Sequence, residues 1–111
     1  AVEKAKASHP EIEFRAMDAL AIDTLDETFD LAAVMMTLAY VSNWRGLLAK
    51  IASVADNALL VEYIPDQAIG AVKSLDDARQ EFEKHFNIAT DIVLDRNILM
   101  LFGTRRGSKT T

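Results

Sequence analysis

Two short apolar runs flanking one amphipathic stretch limit the fold of this chain more than any other feature. Residues 29–36 are almost wholly apolar after Asp30, and residues 58–64 form a second such run closed by Pro65. Between them, Asn43 is placed to cap a helix whose inward stripe is Leu47, Leu48, Ile51, Ala52, Val54 and Ala55, with Asp56-Asn57 as the turn after it. Short apolar runs of this kind suit central parallel strands covered on both faces. Strand, helix, strand in this order predicts a right-handed βαβ unit.

The flanks extend the pattern. Residues 1–8 are rich in Ala, Lys and Glu and read as a helix stopped at His9-Pro10, because the residue before proline avoids helical geometry. A chain that opens on Ala1 inside a helix is expected to be a processed or truncated form. Residues 12–16 alternate Ile12, Phe14 and Ala16 with Glu13 and Arg15, the period-two mark of a strand with one wet face. Residues 18–28 read as a polar loop carrying Asp23, Asp26 and Glu27. Downstream, Ser74 and Asp77 open a helix in the manner of a capping box, with a stripe of Leu75, Ala78, Phe82 and Phe86. Strands are predicted over 88–94 and 98–104. The link Asp95-Arg96-Asn97 is so short that they must run antiparallel.

Composition excludes several function classes. The 111 residues suffice for one domain or part of one. Seventeen acidic against twelve basic residues leave a net charge of −5, which argues against a nucleic-acid partner. The clustered Arg105, Arg106 and Lys109 lie in a Gly/Ser/Thr-rich stretch, and residues 105–111 are expected to be a flexible, solvated tail. Absence of cysteine excludes disulfides, thiolate metal sites and cysteine nucleophiles. His9 and His85 are far apart in sequence, and no metal site is expected. No apolar run is long enough to span a bilayer, and no signal-peptide pattern opens the chain. A cytoplasmic protein without a membrane partner is expected.

The order α-β-β-α-β-α-β-β with a closing hairpin resembles the later part of class I S-adenosylmethionine-dependent methyltransferases. Their sheet has seven strands, with the last inserted antiparallel beside the fifth. The resemblance rests on Phe14 to Ala19, on the Phe29-Asp30 strand with its exit through Leu38, Ala39, Tyr40 and Val41, on Leu59 to Pro65, and on Asn97 to Gly103. It covers residues 1–104. The fold it implies is α/β, a Rossmann-like, mostly parallel sheet with a C-terminal antiparallel hairpin, incomplete because the family's first two strands have no counterpart. No glycine-rich turn precedes the matched segments; Gly46, Gly70, Gly103 and Gly107 lie elsewhere.

The resemblance implies S-adenosyl-L-methionine as cofactor. Asp18 would accept from the adenine amino group and the Ala19 amide would face the ring, where a turn-capping Asp18 is the plainer alternative. Met35 and Met36 would lie under the methionine part, although core packing suits a Met pair equally. Tyr40, Trp44, Tyr63 and Asp66 are candidate acceptor contacts, although Trp44 is better suited to sealing its helix against the sheet. Glu62 is an unexpected carboxylate in an apolar strand and needs buried partners; with Tyr40, Tyr63 and Asp66 it is a candidate general base, and none of the four is named as the base. Residues 66–74 read as a connector or as a segment over the substrate mouth. The exit of the fourth strand lacks the Asp/Asn-Pro-Pro-aromatic pattern of enzymes that methylate DNA amino groups, so a small-molecule acceptor is expected. A non-catalytic α/β module that keeps the sheet for assembly is the alternative. Lack of the first two strands would leave a long apolar edge on residues 29–36, and a dimer or exchanged-strand assembly is expected to cover it.

Overall fold

A computed structural model describes residues 7–8, 19–25, 27–65 and 70–107. The strand expected over 12–16, most of the helix expected over 1–8, and the candidate residues Asp18 and Asp66 lie outside these. The described elements are a 3-10 helix Ala19–Leu25, β1 (Phe29–Met35), a short 3-10 turn Leu38–Tyr40, α1 (Trp44–Val54), β2 (Ala55–Tyr63), α2 (Leu75–His85), β3 (Phe86–Leu94) and β4 (Ile98–Arg105). The part of the expected loop over 19–25 is therefore a 3-10 helix. It is held to α1 by Lys50 Nζ, which donates to the Leu20 carbonyl at 2.5 Å, with Leu20 packed against the core.

Four strands form one sheet in the order β1-β2-β4-β3. β1 and β2 are parallel, with Ala33 opposite Leu59 and Met35 opposite Val61. β4 runs antiparallel to both β2 and β3. This is the α/β arrangement with a closing antiparallel hairpin that the sequence implied, with the last strand inserted beside the strand that follows α1. Among the described residues the sheet is mixed, one pairing parallel and two antiparallel.

Both helices form where the sequence supplies a cap and a stripe. The Asn43 side chain accepts from Gly46 N at 3.2 Å, and the Ser74 hydroxyl accepts from Asp77 N at 3.0 Å. A Cβ at Gly46 would lie 2.4 to 2.9 Å from the Asn43 side chain, so the first cap requires glycine three residues on. Helix α1 passes directly into β2, and Asp56 and Asn57 belong to that strand rather than to a turn.

The core lies between one face of the sheet and the two helices. It joins Leu47, Leu48 and Ile51 of α1 to Ala78 and Phe82 of α2 and to Ala58, Leu60, Leu99 and Leu101 of the sheet. The Phe82 and Phe86 rings stack with centroids 4.7 Å apart. The helices are also tied at their surface. Glu81 of α2 accepts from Arg45 of α1 and from Lys84, both at 3.1 Å. Burial alone would raise the Glu81 carboxyl, but these two cations outweigh it and hold the group below its ordinary value.

Strand β1 departs from the expectation of cover on both faces. Ala32 and Val34 pack against the core, whereas Leu31 is 51% and Met35 57% exposed on the opposite face. The cause is position: among the described residues β1 has β2 as its only neighbour and nothing overlies that face. Among the described residues, β1 thus shows the exposed apolar edge that the sequence led one to expect. The stretch expected as a basic tail is also partly anchored. Arg105 ends β4, pairing with Asp56 at 2.8 Å and donating to the Ala52 carbonyl at 3.1 Å, and Arg106 Nε donates to the Glu83 carbonyl at 2.5 Å. No helix among the described residues is long and apolar enough to cross a membrane.

Candidate functional site at the ends of the parallel strands

Parallel strands end in a crevice where backbone groups run out of partners, and open α/β sheets place ligands there. Here the crevice opens at the C-terminal ends of β1 and β2. After Met35 the chain turns sharply at Met36, whose φ of 54° is left-handed and uncommon for a residue with a side chain. The Met36 amide still donates to the Val61 carbonyl at 2.7 Å, so the turn begins while the chain is fastened to β2. Thr37 Oγ1 donates back to the Met35 carbonyl at 2.9 Å, and the 3-10 turn Leu38–Tyr40 follows.

The amides of Thr37 and Leu38 have no strand partner. Both are taken by Glu62 of β2: Oε2 accepts from Thr37 N at 3.0 Å and Oε1 from Leu38 N at 3.1 Å. Glu62 is 1% exposed. Its burial pushes the carboxyl up from its ordinary value, and the two amides oppose that shift without cancelling it.

The second wall comes from the chain after β2. Ile64 is held by its amide to the Asn97 carbonyl of the β3–β4 turn at 2.7 Å, and Pro65 follows. Residues 70–72 return to the first wall, where Ala71 N donates to the Ala39 carbonyl at 2.9 Å. Between the walls is a cleft of about 330 Å³ lined by Met36, Ala39, Tyr40, Glu62, Tyr63, Ile64, Pro65, Gly70 and Val72. Its surface is mainly apolar, with two phenol hydroxyls at the mouth and one buried carboxylate. No cationic side chain lines it among the described residues. Such a site can hold an apolar or flat ligand, bond it through phenol hydroxyls, and tolerate positive charge on it.

Four of the residues singled out in the sequence meet here: Met36, Tyr40, Glu62 and Tyr63. Met35 does not; it sits on the uncovered face of β1. Trp44, read from the sequence as a seal of its helix against the sheet or as an acceptor contact, lies in the core. It is 4% exposed, absent from the cleft lining, and covered by the Arg45 guanidinium 4.4 Å from its ring centre. Ala19 opens the first 3-10 helix. Ala39, Ile64 and Pro65 were not foreseen, and Gly70 and Val72 only as part of the segment 66–74 over the mouth. They are small or apolar, and nothing local marks them. Glu62 did carry a signal, as a carboxylate in an apolar strand.

No protein-family model matches the sequence, and a search of curated proteins yields no significant relative. Solved structures do share the fold. The chain superposes on the N-terminal domain of EvdMO1 with S-adenosylhomocysteine bound at a TM-score of 0.67 and 14% identity. It superposes on magnesium protoporphyrin IX methyltransferase (ChlM) from Synechocystis PCC 6803 with bound S-adenosylmethionine at 0.68 and 19% identity. Each match covers 94% of this chain, but only 59% and 54% of the respective structures. The chain therefore spans somewhat more than half the length of these two structures and shares their fold over that part.

Proposed function

We propose that this chain is part of an S-adenosyl-L-methionine-dependent methyltransferase and that the cleft between β1 and β2 takes the methionine end of the cofactor together with a small-molecule acceptor. The observation that carries this reading is the cleft's position. It opens at the carboxyl ends of two parallel strands, in a fold shared with structures that hold S-adenosylmethionine or its demethylated product.

The residues present suit that ligand in one specific respect. A sulfonium is cationic, and the one charged group lining the cleft among the described residues is the carboxylate of Glu62. The cofactor would supply an electrophilic methyl group. The chain would hold it and the acceptor in line, the positioning effect that accounts for much of such catalysis. Met36 would contact the cofactor, Tyr40 and Tyr63 the acceptor. Met35 sits on the uncovered face of β1, apart from the cleft, and has no part in ligand contact in this reading. Asp18 and the Ala19 amide would serve the adenine, and Asp66 the acceptor.

Calorimetric titration of S-adenosylhomocysteine into this chain and into Asp18→Ala tests the reading. Weak binding by the parent, which has no counterpart of the family's glycine-rich turn, and its clear loss in the variant are expected. No binding by the parent would sink the reading for this chain, and equal binding by both would remove Asp18 from the site.

A second reading has its own observation. Leu31 and Met35 project from an uncovered face of an edge strand, as suits a non-catalytic module or a chain that pairs with a second copy through β1. In either reading the protein is proposed to be cytoplasmic and to bind neither nucleic acid nor membrane. Sedimentation of the parent and of Leu31→Lys separates them from a self-contained monomer. A dimer dispersed by the substitution supports assembly, and a parent monomeric at high concentration removes it.

A further inference from the structure

Glu62 is an expensive choice for its position. Its neighbours in β2, Leu60 and Val61, are buried apolar residues, and a similar side chain at 62 would escape the cost of burying an ion. No cation pairs with Glu62 among the described residues; its charge is met only by the Thr37 and Leu38 amides. Such charge-assisted bonds are about twice as strong as neutral ones. A carboxylate can accept from both amides because it is acceptor-only, whereas a Gln would turn an N–H₂ towards one of them.

The two amides begin the 3-10 turn Leu38–Tyr40, and that turn belongs to both sides of the cleft. Ala39 and Tyr40 line the first wall, and the Ala39 carbonyl receives Ala71 N from the second. A continuous chain of bonds thus runs from Glu62 through Thr37 and Leu38 to Ala39 and on to residues 70–72.

We propose that Glu62 is the positioning residue of this cleft, its carboxylate fastening the turn after β1 and through it the spacing of the two walls, and that it is not a base in the reaction. The ligand side of this proposal rests on the function proposed above; the structural side does not. The titratable groups beside Glu62 in the cleft are the phenols of Tyr40 and Tyr63.

The test is an amide-resonance titration of the whole 111-residue chain, with S-adenosylhomocysteine binding as a second arm. Lowering the pH should shift the Thr37 and Leu38 amides together, with one midpoint above the ordinary carboxyl value of 4.5. The Gly46 amide, which donates to a neutral Asn43, should not follow. In Glu62→Gln the shared titration should vanish and the resonances of residues 36–40 and 70–72 should move, while those of α2 beyond its first turn stay in place. S-adenosylhomocysteine affinity should fall about tenfold or more, the cost of one lost charge-assisted bond. Thr37 and Leu38 amides that titrate separately or not at all would overturn the proposal, as would a Gln variant with unmoved 70–72 resonances and unchanged affinity. If Glu62→Gln does not fold, the parent's own titration decides. If the parent binds no S-adenosylhomocysteine, the proposed function falls, and the resonance arms still decide on Glu62.

Discussion

Replacing Gly70 by Ala perturbs the cleft at its closest backbone approach. A Cβ at residue 70 would lie 2.6 Å from the Ala39 carbonyl oxygen, 2.7 Å from Ala39 Cβ and 3.1 Å from Ala39 Cα. These atoms belong to the turn that Glu62 holds, so no flexible side-chain end can swing aside. Relief requires residues 70–72 to lift away. That breaks the bond from Ala71 N to the Ala39 carbonyl, worth about 0.5–1.5 kcal/mol. It also exposes Val72, now 2% accessible, at about 1.5–3 kcal/mol. Against this, Ala restricts the unfolded chain and returns about 0.4–1 kcal/mol. The net loss is about 1–4 kcal/mol, on the order of a fivefold to several-hundredfold faster exchange of the Ala71 amide. Amide exchange at Ala71 and urea unfolding followed through Trp44, the single tryptophan, measure it. An Ala variant with parental protection at Ala71 and a parental midpoint would refute the claim that this contact docks the second wall.

The β3–β4 turn and the α1–α2 bridge offer two more checks. Asp95 and Arg96 both have positive φ, 49° and 65°, the signs that favour Asn-Gly in a hairpin turn. The double change Asp95→Asn with Arg96→Gly should raise stability by up to about 1 kcal/mol, and a lowered thermal midpoint would contradict that turn geometry. Glu81 has a depressed carboxyl pKa, so its stabilisation is present above the ordinary value of 4.5 and is lost as pH falls through the lower folded value. Glu62 acts in the opposite sense. Its raised pKa means that stability is greatest below 4.5 and declines as pH rises through the folded value. Glu81→Gln should remove the acid-side loss. Its cost near neutrality should be below about 1 kcal/mol, because Arg45 and Lys84 are largely solvated. A cost well above that in urea unfolding would show that the bridge is less screened than its exposure implies.

The site was legible in the sequence only where a residue was out of character for its element. Glu62 stood out because a carboxylate inside an apolar strand must find partners, yet which partners it finds depends on a turn 24 and 25 residues earlier. Met36, Tyr40 and Tyr63, expected around strand ends, line the cleft. For Trp44 the first helical turn left core and mouth both open, and the structure buries the ring. Ile64, Pro65, Gly70 and Val72 carry no local mark of a site. They line it because residues 70–72 fold back onto Ala39.

By itself, the sequence determined the local elements: both helices with their caps at Asn43 and Ser74, the apolar strands, and the antiparallel hairpin forced by a three-residue link. Those features depend on interactions within a few residues, which period and capping chemistry encode directly. The place of β4 between β2 and β3 was implied by resemblance rather than by any local pattern. Tertiary structure alone decided that, among the described residues, β1 lies at the edge with one face bare, that Trp44 is buried, and that Arg105 is anchored to Asp56. It also decided that Glu62 fastens a distant turn. Each of these turns on which remote segments come to share a register or a surface, and burial and unmet backbone amides are settled only once the whole sheet has assembled.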